Sequence, residues 1–219
     1  MPRALFEKTG NAVFISHLDL MRLFQRAFKR GGMSLTHTQG YNPRPSVSIA
    51  LPLSVGVQSH CELLDFELEG NAPDCEKILE VLNSRLVEGV TVKEVYENGQ
   101  KIKHLTYLDC TVTLEYDQGI PEGAVEAISA LFARDEVMVE KRSKNGISEQ
   151  NIIPMIRKME VVAVDDHCLR LNARVCCQNP TLNPVQLSAA IEKFLPEYRA
   201  DFVSCCRLEI YDEEENIFR

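Results

Sequence analysis

The spacing of apolar positions changes period several times along this chain, and each change marks an element. Residues 3–8 read as a strand that continues toward Phe14 after a turn at Thr9-Gly10-Asn11. From Ser16 the period becomes helical. Leu20, Met21, Leu23, Phe24, Ala27 and Phe28 share one face, Arg22, Arg26 and Lys29 lie on the opposite one, and Arg30 sits at its edge. Ser16 with Asp19 three residues on is a capping pair, and Gly31-Gly32 is a stop signal. Short strands follow near 33–37 and 46–51, and 61–68 alternates with Leu64, Phe66 and Leu68 on one side. Pro73 opens a second helix bearing Ile78, Leu79, Val81, Leu82 and Leu86, which ends near Gly89. Residues 90–95 read as a closing strand.

Residues 98–104 are polar, contain a glycine and read as a linker. Beyond them 105–116 alternates strictly, and Pro121 starts a helix with Val125, Ile128, Leu131 and Phe132. Residues 137–142 form a strand and 143–150 a loop, and 158–164 with 167–176 a hairpin around Asp165-Asp166. Asn183-Pro184 begins a helix with Leu187, Ile191, Phe194 and Leu195 inward, and 202–211 is the last strand. The acidic tail, Asp212-Glu-Glu-Glu215, reads as frayed. Each half has the order β-α-β-β-α-β, so the expected architecture is α+β, two tandem ferredoxin-like units over 1–98 and 105–219. That expectation rests on pattern alone, because the halves share no sequence identity.

Composition narrows the class. The chain has 219 residues, of which 45% are hydrophobic and 26% charged, a mixture typical of globular proteins and long enough for a sizeable core. There is no run of 18 apolar residues, which argues against a membrane span, and no apolar stretch before a small-residue cleavage site near the N-terminus. A cytoplasmic location without membrane contact is therefore expected. In a reducing compartment the eight cysteines read as thiols, best explained as small buried hydrophobes. A composite zinc site would need them to converge from separate segments, so no metal ligand and no cofactor is assigned to this chain.

Charge changes the picture more. The net charge is −8, yet residues 1–60 hold Arg3, Lys8, Arg22, Arg26, Lys29, Arg30 and Arg44 against only Glu7 and Asp19. An acidic protein with one basic sector can bind an anion locally. Just beyond the first helix lies a stiff polar loop containing His37, Gln39, Gly40, Tyr41, Asn42, Pro43, Arg44 and Pro45. Tyr41 suits stacking on a base and Arg44 a bidentate phosphate contact, with Gln39 and Asn42 beside them. The competing interpretation is a hairpin loop whose polar groups cap one another. Residues 143–148, with Lys144, together with Lys141, Arg142, Arg157 and Lys158 form a second basic cluster, five cations against only Glu140 and Glu149 between 140 and 158. His17 and His37 are the candidate catalytic groups. With Asp19 and with His60, which opens the next strand, they suit general acid-base cleavage of RNA, or a metal. Equally, His17 can pack beneath the loop and bond its backbone while Asp19 completes the cap. No P-loop, dinucleotide fingerprint, H-E-x-x-H or G-x-S-x-G is present, so no catalytic motif of high specificity favours an enzyme.

Three segments together resemble a known family. They are Phe14-Ile-Ser-His-Leu-Asp-Leu-Met-Arg22, Gln39-Gly-Tyr-Asn-Pro-Arg-Pro45 and Leu51-Pro-Leu-Ser-Val-Gly56. They are similar to the bacterial radical-SAM-linked proteins, domains of unknown function found beside, or fused to, cobalamin-binding-type radical-SAM proteins. In that family Phe is usual at the place of Tyr41, and His is common at the place of Arg44. The resemblance implies association with a radical-SAM enzyme and no settled activity. A weaker, architectural similarity is to the CRISPR repeat-processing endoribonucleases. The leading expectation is an accessory protein of a radical-SAM enzyme that binds RNA or presents a substrate. The alternatives are a metal-independent endoribonuclease using His17 or His37, and a protein-protein adaptor that does not touch RNA.

Overall fold

The computed structural model describes residues 1–70, 74–143 and 146–219. Pro73 lies outside the described residues, as do Lys144, Asn145 and the side chains of Arg142 and Ser143. The chain divides into two units, residues 1–104 with Arg219, and residues 105–218.

The first unit runs β1 (Arg3–Lys8), α1 (His17–Arg30), β2 (Val47–Ile49), β3 (Val57–Phe66), α2 (Cys75–Asn83) and β4 (Val90–Tyr96). β1 pairs antiparallel with β3 on one side and β4 on the other, and β2 adds antiparallel to β3, giving the order β4-β1-β3-β2. The helical period of α1 places Leu20, Phe24, Ala27 and Phe28 in the core. Phe24 meets Phe6 and Phe28 meets Phe66, both at ring separations of 4.8 Å. Each such ring contributes roughly 1.5–3 kcal/mol by burial, so this seam fixes α1 to the sheet. Gly31 ends α1 where a side chain cannot fit, since a Cβ there would lie 2.2 Å from Val81 Cγ1.

Three expectations for this unit are corrected. The strand does not continue toward Phe14, because 10–14 is a 3-10 turn. It is fixed by buried Lys8, whose Nζ donates to the Ile15 carbonyl at 2.9 Å, and by a bond from the Gly56 amide to the Val13 carbonyl. The strand expected near 33–37 is reduced to isolated bridges, Leu35 with Leu68 and His37 with Pro45. Pro43 and Pro45 lack the amide donors that a longer ladder needs. α2 starts at Cys75 behind an Asp74 cap and stops at Asn83 rather than near Gly89. There the Asn83 amide makes a two-way bond with the Val92 backbone, at 2.9 and 2.8 Å, and the chain turns to meet β4.

The second unit runs β5 (Tyr107–Glu115), α3 (Ala124–Phe132), β6 (Met138–Ser143), β7 (Gly146–Asn151), β8 (Ile156–Ala163), β9 (Cys168–Cys176), α4 (Val185–Phe194) and β10 (Phe202–Tyr211). The sheet order is β10-β5-β9-β8, with every neighbour antiparallel. The expected loop at 143–150 is largely β7, which pairs with β6 as a separate hairpin. Gly146-Ile-Ser-Glu-Gln-Asn151 shows no clear alternation, because four of its six residues are exposed and none is buried. The tail is not frayed. Asp212 Oδ1 accepts from the amides of Glu214 and Asn216, Ile217 bridges Tyr211, and Phe218 is fully buried. The penultimate residue is thus a buried aromatic, which ties the acidic run down.

Candidate functional site

Folding sorts the basic residues of the N-terminal sector into committed and uncommitted groups. Arg3 is buried, binds Asp65 bidentately at 2.6 and 3.1 Å and donates to the Gln100 carbonyl. Lys8 is buried at the 3-10 turn. Arg22 is exposed but paired with Asp19 at 2.9 Å. Arg30 donates to the Arg85 carbonyl at 2.8 Å, beyond the C-terminus of α2. Arg26, Lys29 and Arg44 are exposed, and none of the three makes an ion pair among the described residues. The formal excess of charge therefore shrinks to three cations with open side chains.

Two of these three line a groove. Arg26 and Lys29, with Gln25, form one wall, and His37 and Pro45 at the base of the loop belong to another. Met33 and Leu35 supply apolar surface, and Gly32, Ser34 and Glu69 complete the lining of a cavity of about 510 Å³. Such a volume falls in the range of small-ligand sites. Gly31 and Gly32 make this geometry, because they reverse the chain at the end of α1 and send Met33-Ser-Leu35 back along the helix. Glu69 is placed by the Leu35–Leu68 bridge and by its amide bond to the Ser34 carbonyl at 2.8 Å. Sequence reasoning missed Gln25 and Glu69. Gln25 had a signal, since it sits one turn from Arg22 and Lys29, whereas Glu69 had none.

The loop forms a short stalk with an open tip. The Thr38 amide donates to the Arg44 carbonyl and the Arg44 amide to Thr38 Oγ1, while the Ser46 amide donates to the Thr36 carbonyl. Gln39, Tyr41 and Asn42 stand in solvent beyond this ladder, and the Tyr41 ring is 100% exposed. The two interpretations of the loop thus apply to different parts of it: the stalk is self-capped and the tip offers its side chains outward.

The histidines separate as well. His37 lines the groove. His17 is half-buried at the first turn of α1, and its Nδ1 is enclosed without a hydrogen-bond partner, so the expected backbone bond from the ring through that atom is absent. Asp19 accepts from Ser16 Oγ at 2.7 Å and from Arg22, and its backbone amide donates to Ser16 Oγ. The Ser16 bond and then the Arg22 guanidinium hold the Asp19 carboxyl below the usual carboxylate range. A carboxylate stabilised in this way is a poor proton acceptor, and its bonds are those of a helix cap.

In the second unit Lys141 is half-buried on β6, and Arg142 has its side chain outside the described residues. Arg157 and Lys158 both pair with Glu215 at 3.0 Å. Of the cysteines, 61, 110, 177 and 205 are buried. Burial pushes the Cys110 and Cys177 thiols up to about 12 and Cys205 up to about 11, so they stay protonated at neutral pH. Among the described residues no three His, Cys, Asp or Glu side chains are grouped closely enough to hold a metal ion. No helix among them is long and apolar enough to cross a membrane.

The molecule is thus a mixed α/β protein with a small basic groove beside an open polar loop. Over residues 2–184 the chain matches the family described as "Uncharacterized protein conserved in bacteria (DUF2344)", and it belongs to that family. No curated protein matches it. Among solved structures it is similar to a chain of a Cbf5-Nop10-Gar1 complex, at 8% identity and a TM-score of 0.53. That likeness covers 97% of this chain and 50% of the other, so the chain spans about half the length of its solved neighbour, and it speaks to fold alone. An unknown protein from Galdieria sulphuraria is aligned at 15% identity over 94% of this chain and 96% of that one, with a TM-score of 0.27.

Proposed function

We propose that this protein is a non-catalytic accessory factor that binds single-stranded RNA through the α1 groove and the 39–44 loop tip, in partnership with a radical-SAM enzyme. The observation behind the RNA contact is that Arg26, Lys29 and His37, from two separate segments, line one cavity with apolar surface between them. Cations along a groove suit a phosphate backbone, and the exposed Tyr41 ring suits stacking on a base. The strand orders β4-β1-β3-β2 and β10-β5-β9-β8 support reading each unit as ferredoxin-like, with the β6–β7 hairpin inserted in the second. The radical-SAM partnership rests on the family resemblance of the motifs at 14–22, 39–45 and 51–56.

Fluorescence anisotropy with labelled single-stranded RNA at several salt concentrations tests this reading. Wild type is expected to bind with a salt-dependent affinity. Arg26→Glu/Lys29→Glu is expected to lose it, because each lost phosphate contact removes about 0.7 from the slope of log K against log salt. Equal binding by wild type and the double variant excludes the groove, and no binding by wild type at low salt excludes RNA.

An adaptor role without RNA is the second reading, favoured by exposed Phe14 and Leu18, spaced four residues apart, and exposed Val55. The backbone bond from Gly56 to Val13 brings these segments together. Capture of the neighbouring radical-SAM enzyme by wild type and not by Leu18→Asp, with RNA binding absent, would select it.

A further inference from the structure

Glu215 is the meeting point of three cations in the second unit. Arg174 Nη1 reaches its carboxylate at 2.6 Å, Lys158 Nζ at 3.0 Å and Arg157 Nε at 3.0 Å. Arg174 is only 9% exposed and is oriented by a second, bidentate contact to Asp109 at 2.7 and 2.8 Å, with the Tyr211 ring 3.8 Å from its guanidinium carbon. Such a cluster is pre-built: the buried arginine cannot swing away when the carboxylate leaves. A surface ion pair needs one partner, whereas three donors around one carboxylate match the valence of a phosphate better.

Two further observations point the same way. Lys158 and Arg174 also line a cleft of about 350 Å³, together with Asp109, Glu160 and Asn172 and the apolar Met159, Ala173 and Leu208. Space for a ligand therefore adjoins the cations. Moreover, Glu215 has φ of 62°, a left-handed conformation that is unfavourable for a non-glycine residue. The tail turn holds this conformation through Asp212, and Phe218 anchors its far end. Glu215 is thus held over the cations by a short strap between Asp212 and the buried Phe218.

We propose that Arg157, Lys158 and Arg174 form a phosphate-binding site which Glu215 occupies in cis, so that the C-terminal strap and a phosphate-bearing ligand exclude one another. The site shares no residue with the α1 groove and does not depend on the RNA reading of that groove. A free or terminal phosphate and a phosphodiester in a strand offer this site the same chemistry, anionic oxygens for three cations.

Calorimetric titration of the full chain tests the proposal, with inorganic pyrophosphate in one arm and a single-stranded RNA lacking terminal phosphates in the other. Glu215→Ala is expected to bind at least one probe about 10-fold more tightly than wild type, because its own anion no longer competes. Adding Arg157→Ala/Lys158→Ala is expected to abolish that gain. A gain for pyrophosphate alone assigns the site to free or terminal phosphate, and a gain for the RNA as well assigns it to phosphodiesters. Glu215→Gln runs in parallel, preserving shape while removing charge, should the alanine variant unfold. A folded Glu215 variant that binds neither probe more tightly than wild type would make the cluster a structural tether only, and the proposal would fall.

Discussion

The two cation clusters of this protein are opposites. In the second unit Arg157, Lys158 and Arg174 are matched by Glu215 and Asp109 from the same unit, with Arg174 nearly buried. In the first unit Arg26 and Lys29 line an open groove and make no ion pair among the described residues. Charge that is neutralised internally meets a ligand only by displacing its own carboxylate, while charge left in solvent is open to another molecule directly. Formal counts cannot make that distinction. The chain carries −8, yet it presents two groups of cations, one behind a carboxylate of its own and one without.

The largest expected effect lies in the matched cluster. Arg174→Ala strips partners from Asp109 and Glu215 and the cation from the face of Tyr211. Breaking a fully buried pair costs about 3–5 kcal/mol. Asp109 keeps 28% of its side-chain surface exposed, so about 2–3 kcal/mol is expected instead. At about 2–4 °C per kcal/mol for a chain of this size, that is a fall in Tm of roughly 4–12 °C. Arg26→Ala/Lys29→Ala is expected to shift Tm by about 2 °C or less, as for exposed residues with no partner. Equal losses from the two substitutions would erase the comparison.

That division was only partly legible beforehand. The helical face of α1 was readable because four of its apolar residues repeat at a spacing that only a helix can bury together: Leu20, Phe24, Ala27 and Phe28. The cap at Ser16 and the stop at Gly31-Gly32 were readable from residue type. β7 was not, being polar and exposed, and neither was the end of α2, which is set by a side-chain bond from Asn83 to Val92 on the following strand. In the candidate site, the face bearing Arg26 and Lys29 followed from periodicity. The withdrawal of Arg3 and Lys8 into the interior did not, since each depends on partners that folding supplies, Asp65 and the Ile15 carbonyl. Sequence alone puts Glu215 in a loose acidic tail, because nothing local signals that Phe218, the penultimate residue, is a core residue.

Acid separates the clusters next. Bonds from Arg157 and Lys158, and then Arg174, hold the Glu215 carboxyl at about 2, below its ordinary 4.5. The unfolded chain therefore takes up this proton first. The stabilisation from Glu215 is complete above about pH 4.5 and is lost as the pH falls toward 2. Urea midpoints measured across that window should decline less steeply in Glu215→Gln than in wild type. Indistinguishable slopes would mean that the carboxylate does not hold the cations in solution.

The finest test stays within one helix face. Arg22 and Arg26 lie one turn apart, but Arg22 is paired with Asp19 at 2.9 Å and Arg26 lines the groove. The Asp19–Arg22 pair is exposed and spaced i, i+3, so Arg22→Ala should leave stability nearly unchanged. If the groove sets the RNA contact, Arg26→Ala lowers the salt slope of binding by about 0.7 and Arg22→Ala leaves it unchanged, because Asp19 already serves as the Arg22 counterion. Equal reductions from both would move the contact from the groove to the whole outer face of α1, where a phosphate competes successfully with Asp19. A reduction from Arg22→Ala alone would reverse the assignment, making the capping pair the strand's docking point and leaving the groove to another ligand.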